Sequence, residues 1–223
     1  MRMSLLGVFS MSLAMSCAAS SMEREQPIAL PEVELGGEMS IEEAINERRS
    51  VRGFSRDSLA LGEVSQLLWA AQGVTGRRGF RAAPSAGALY PLELYLVAGD
   101  VEGLSPGVYR YRQSKHDLVP VASGDQRRRL AKAALDQDWV RRAPAVLVIT
   151  GIYRRTTGKY GQRGRRYVHI EVGHAAQNIY LQATARDLGT VMVGAFDDNE
   201  VREVLGLPVD HEPLGLMPVG HRR

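Results

Sequence analysis

The chain has 223 residues, 44% hydrophobic and 24% charged, which suits one globular domain with a substantial core and leaves little room for two. Its formal net charge of +3 is spread over short basic groups such as Arg127 to Arg129, Arg141 with Arg142, and Arg163 to Arg166. No nucleic-acid reading motif accompanies them, so these are taken as solvated charges, and the single cysteine excludes an intramolecular disulfide.

At the N-terminus Arg2 precedes an apolar run from Leu5 to Met15, too short to cross a bilayer as a stop-transfer helix but suited to the core of an export signal. The run ends at Ala14 to Cys17, A-M-S-C, which resembles the lipobox of bacterial lipoproteins and would make Cys17 a lipid-bearing membrane attachment in the cell envelope. The alternative is a cytoplasmic protein that begins at Met22. Residues 1–21 are therefore read as signal and lipobox, 22–39 as a linker, and 40–223 as the folded domain.

Ser40 and Glu43 form an S-x-x-E capping box, which predicts a helix from Ile41 to about Arg48 with Ile41, Ala44 and Ile45 on its buried face. At its end lies E-R-R-S-V-R-G-F, where Arg48, Arg49 and Arg52 with the hydroxyl of Ser50 offer paired donors suited to a phosphate. A helix dipole does not favour an anion at that end, so side chains would have to hold it. A solvated basic turn is the plainer alternative.

A second helix is expected over Gly62 to Gln72, with Gly73 as a left-handed stop. The small residues of Pro84, Ser85, Ala86, Gly87 and Ala88 allow close approach to a flat ligand, or form an ordinary tight turn. Leu94 to Ala98 reads as a strand, and Val108 to Tyr111 with Leu118 to Val121 as a hairpin. Arg127 to Leu135 reads as a surface helix and Ala145 to Thr150 as a buried strand.

Arg166 to Leu188 is the longest helical pattern, and its apolar residues exceed one narrow stripe, as expected of a central core helix or half of a dimer interface. His169, Glu171 and His174 lie on it without the spacing of a zinc helix, so the histidines are read as interior or interface residues. Thr190 to Val193, Asn199 to Leu205 and Leu214 to Val219 follow as strand, helix and strand, before the basic His221 and Arg222.

Taken in order, RRSVRGF, LLWAAQGVT, PSAGALYPLELY, GVYRY, KYGQRGRRYVHIEVGHAAQNIYLQA, VGAFDDNEVREVLGLP and PVGH resemble the nitroreductase superfamily of FMN enzymes. Within it they are most similar to the SagB-type or ThcOx-type branch, the azoline dehydrogenases, over Ser40 to His221. The resemblance implies an α+β sandwich of a mixed sheet flanked by helices, forming a homodimer with FMN at the subunit interface. Arg48, Arg49 and Ser50 would then hold the FMN phosphate and ribityl chain, and Arg52 would reach toward N1 and O2 of the ring. Pro84, Ser85, Ala86 and Gly87 would lie along the isoalloxazine, and Gly194 and Ala195 would donate near N5 and O4. His221 and Arg222 sit where the family returns a basic residue to the phosphate. Lys159 and Tyr160 match the branch's Lys-Tyr pair, used for proton handling near a small-molecule or peptide-azoline substrate, with a solvent lysine beside a buried tyrosine as the alternative. Two other functions fit the same residues: an NAD(P)H-dependent nitroreductase acting on nitroaromatics or quinones, and a flavin-binding protein without turnover.

Overall fold

A computed structural model describes residues 26–223, so the expected export signal and Cys17 lie outside the described residues. The strands are β1 (Ile28–Ala29), β2 (Leu92–Ala98), β3 (Gly107–Arg112), β4 (Asp117–Ser123), β5 (Ala145–Gly151), β6 (Leu188–Thr190) and β7 (Glu212–His221). The helices are α1 (Ile41–Glu47), α2 (Leu61–Gln72), α3 (Arg127–Ala133), α4 (Asp138–Arg142), α5 (Tyr153–Tyr160), α6 (Arg163–Ala185) and α7 (Asp198–Leu205).

The apolar runs of β2 and β5 have no polar face, because both sides of the sheet are covered. Leu92, Leu94 and Leu96 enter one core with Leu147 and Ile149, while Tyr95 and Val97 enter the other with Val146 and Val148. On the first side α2 and α6 supply Leu67, Leu68, Val172 and Ile179; on the second, α3, α4 and α7 supply Leu130, Val140 and Leu205. The seven strands run in the order β1-β4-β3-β2-β5-β7-β6. Each pairing between them is antiparallel, and parallel contacts come from single bridges such as Ser50 to Thr190. This is the α+β sandwich expected from the sequence. No described helix is long and apolar enough to cross a membrane.

Four expectations need correction. The segment read as a linker is partly built into the sheet: Ile28 and Ala29 pair with Leu118 and Asp117, and Leu30 is buried. Downstream, Ser65 donates to Pro31 O (2.7 Å), Gln66 exchanges two hydrogen bonds with the Glu34 backbone, and Arg186 pairs with the Glu34 carboxylate. A two-residue strand is too short to show the alternation by which strands are recognised. The capping box of α1 forms as expected, with Ser40 N donating to Glu43 and Glu43 N to Ser40, but only Ala44 of its apolar residues is buried. Ile41 and Ile45 are 55% and 58% exposed. Gly73 is not left-handed (φ −62°); it is needed because a Cβ there would stand 2.1 Å from the Trp69 ring. Finally, the long helix runs three residues earlier than read, and Leu188 belongs to β6, which pairs with the end of β7.

Candidate functional site

The end of α1 delivers Arg48, and the chain then runs beside β6, with Val51 N bonded to Thr190 O and Ser50 bridging Thr190. Tyr180 of α6 organises this crossing. Its hydroxyl accepts from Met192 N (2.7 Å) and shares a hydrogen bond with Ser50 Oγ (3.1 Å), and Arg48 lies over its ring at 5.2 Å. Arg52 stacks over the Trp139 ring at 5.5 Å. Arg49 instead folds back onto the carbonyls of Asn46 and Arg48, neutralising the negative end of α1. None of the ion pairs among the described residues engages Arg48, Arg49 or Arg52. Three guanidinium groups thus share one short stretch without a carboxylate, beside a buried Thr190 hydroxyl and a buried Trp139 Nε1 that have no hydrogen-bond partner among the described residues.

The second part is the turn from Pro84 to Tyr90. Gly87, Ala88 and Tyr90 all take positive φ (63°, 53° and 45°), a conformation that costs a non-glycine residue energy and persists only when its surroundings impose it. The surroundings are specific. Tyr90 N donates to Ser85 Oγ (2.9 Å), Arg155 donates to Tyr90 O (2.9 Å) while pairing with Glu93 (2.7 Å), and Arg81 lies over the Tyr90 ring at 4.6 Å. From α5, Lys159 and Tyr160 reach the same turn. A Cβ at Gly87 would lie 2.8 Å from the Tyr160 hydroxyl and 3.0 Å from Lys159 Nζ, so the glycine lets both polar tips come up against the turn where they stand.

Gly194 and Ala195 lie in an exposed stretch after the bridge from Val193 to Leu216, and a Cβ at Gly194 would meet nothing within 4 Å. Ala195 O accepts from Gln137 (2.8 Å). The side chains of His221 and Arg222 are engaged at the sheet end: His221 Nε2 is 3.5 Å from Glu63, and Arg222 donates to Leu188 O and faces Asp187. The structure therefore joins Arg48, Ser50 and Tyr180 in one cluster, and Ser85, Gly87, Lys159 and Tyr160 in another. It gives His221 and Arg222 local structural contacts.

Three residues at these clusters escaped the sequence reading. Tyr180 and Trp139 sit in segments whose apolar periodicity makes an aromatic residue read as core. Glu171, read as no zinc ligand, is 2% exposed, and its Oε1 has no hydrogen-bond partner among the described residues. Burial pushes its carboxyl up to about 7, against the opposing pull of Ser85 and Arg81. A buried carboxylate inside an otherwise apolar helical repeat was the available signal.

Comparison with known proteins gives this geometry a family. The model of the nitroreductase family matches residues 45–221. A protein of Methanocaldococcus jannaschii named as a nitroreductase is 50% identical over 195 residues, covering 87% of this chain and 96% of its own length. The microcin B17-processing protein McbC of Escherichia coli is 30% identical over 132 residues, 57% of this chain and 48% of McbC. A crystal structure of a nitroreductase from Ralstonia eutropha superposes with a TM-score of 0.77 at 28% identity, covering 90% of this chain and 91% of that one. With this fold and these matches, the chain belongs to the nitroreductase family.

Proposed function

We propose that the protein is an FMN-dependent oxidoreductase of the azoline-dehydrogenase type, acting as a homodimer on a small-molecule or peptide-borne ring. The observation that carries this reading is the meeting of Gly87 with Lys159 Nζ and the Tyr160 hydroxyl. McbC, named for processing a peptide, supports a peptide substrate.

The residues present fit FMN. Arginines that pair with no carboxylate among the described residues, beside a serine hydroxyl, suit a phosphate monoester, and the exposed stretch at Gly194 has open space above its backbone. Arg48 and Ser50, held by Tyr180, would bind the phosphate end, and Arg52 would place positive charge toward the ring. Bound there, FMN would supply hydride acceptance and release. The protein's own task is the proton: Lys159 Nζ or the Tyr160 hydroxyl takes it from the ring carbon or nitrogen that loses the hydride's companion, and the turn at Gly87 holds both tips in place.

The homodimer reading draws on Ile41 and Ile45 of α1, on Ile170 of α6 (49% exposed), and on a groove of about 330 Å³ between α1, α2 and α6 lined by Ala44, Trp69, Asn178 and Leu181. Ile41, Ile45 and Ile170 find no cover among the described residues.

With FMN bound, Lys159→Ala combined with Tyr160→Phe should keep flavin content and turnover of an artificial acceptor. Dehydrogenation of a ring substrate that must lose a proton should fall about 10²-fold or more. Equal losses in both reactions would remove the proton-handling role.

A further inference from the structure

Lys159 and Tyr160 meet the turn from Pro84 to Tyr90 at Gly87, and one helical turn earlier α5 meets it a second time. Arg155 Nη1 donates to Tyr90 O at 2.9 Å, and its Nη2 pairs with Glu93 Oε1 at 2.7 Å. The planar guanidinium thus joins its own helix to the turn and to the start of β2. Tyr90 is fixed from other sides as well. It holds φ 45°, its N–H donates to Ser85 Oγ at 2.9 Å, and its ring lies beneath Arg81 at 4.6 Å. Arg155 takes the group that is left, the carbonyl.

The helix needs such a tie. Of the eight residues of α5 only Thr156 is buried, and its hydroxyl has no hydrogen-bond partner among the described residues. Tyr153 packs on the core and bonds His169, and Tyr160 meets the edge of Tyr167 at 5.1 Å, contacts that join α5 to the core and to α6. A short helix with so little apolar burial takes its place from side-chain ties more than from packing. Arg155 and Lys159 stand four residues apart, so they are neighbours on one face of α5. We infer that Arg155 is a positioning residue: its fork transmits the place of the Tyr90 carbonyl to α5 and so sets Lys159 and Tyr160 against Gly87. Glu93, with its side chain 12% exposed, holds the guanidinium plane in the orientation that the carbonyl requires. Lysine at 155 would keep the charge and lose the fork, so it could meet Glu93 or Tyr90 O without fixing one relative to the other. The effect on turnover rests on the functional reading above; the link between turn and helix does not.

The test compares three proteins as purified: wild type, Arg155→Lys, and Arg155→Gln combined with Glu93→Gln, which removes both charges and leaves no unpaired carboxylate. The Arg155 side chain is 35% exposed, so both variants should fold. Residue-resolved amide hydrogen exchange reads the turn, where Ala88 N donates to Ser85 O and Tyr90 N to Ser85 Oγ. Both variants should lose protection at Ala88 and Tyr90 about tenfold, while amides of Leu94 to Leu96 in β2 stay as in wild type. Turnover of a ring substrate reads the consequence: kcat should fall about tenfold in Arg155→Lys with KM changed less than about twofold. Adding Arg155→Lys to the protein that carries Lys159→Ala and Tyr160→Phe should cause no further loss, since a residue that acts through that pair then has nothing to position. Unchanged exchange at Ala88 and Tyr90, an Arg155→Lys protein that exchanges as wild type does, or losses that multiply in the combined variant would overturn the inference. A protein that holds no FMN yet shows the expected exchange would sink the functional reading and leave the tie between Arg155 and the turn standing.

Discussion

Buried Glu171 burdens the fold. Its carboxyl is raised from 4.5 to about 7, by burial first, with Ser85 and Arg81 opposing. The folded chain thus keeps a proton that the unfolded chain has already released, so the stability from this group is full below pH 4.5 and is lost as pH rises to about 7. Glu171→Gln keeps the shape and cannot ionise. Its melting temperature should therefore match wild type near about pH 4.5 and exceed it by a few degrees at about pH 8. A difference that stays constant with pH would show that ionisation is not the cause. The place of the glutamate on the buried face was legible from Val168, Val172 and Ala175 around it, but the groups that meet it there were not, because helical periodicity does not say what covers a face.

At the scale of elements, α6 carries both core and surface. Val168, Val172, Ala175, Ala176 and Ile179 are buried in the sheet-facing core, while Ile170, Gly173, His174 and Gln177 are exposed along the opposite face. The histidines at 169 and 174 are exposed, and His169 bonds Tyr153. A charge at Ala176 would thus disrupt the core, whereas Gly173 has open space where a side chain would go. Gly173→Glu should leave the melting transition cooperative and shift the protein from dimer to monomer in sedimentation. A stable dimer in that variant would move the interface off α6. Strands and helices with several periods of pattern, such as β2, β5 and α2, could be read directly from the residues. β1 could not, since its two residues carry less than one full alternation and its partners lie some ninety positions away. The exposure of Ile41 and Ile45 was equally hidden, because an amphipathic face looks the same whether its own chain or a second copy covers it.

For the whole molecule, the family was legible because its signals are local strings in a fixed order, while the joining of those strings was not. Arg48 and Tyr180 lie 132 positions apart and meet only through the pairing of Ser50 with Thr190. Cys17, outside the described residues, adds a separate prediction about where the molecule resides. If the lipobox is used, Cys17→Ser should move the protein from the membrane fraction to the soluble one, an acyl chain contributing about 0.8 kcal/mol per buried methylene. Wild type wholly in the soluble fraction with Met22 as its first residue would end that proposal. The claim on which the functional account turns is that Arg48, Arg52 and their neighbours hold FMN. Flavin released from the purified protein, measured by absorbance against protein concentration, should give one FMN per subunit. Each lost charge-assisted bond is worth about 1.5–3 kcal/mol, so Arg48→Ala with Arg52→Ala should strip the flavin. A colourless wild type that takes up no added FMN would contradict the account.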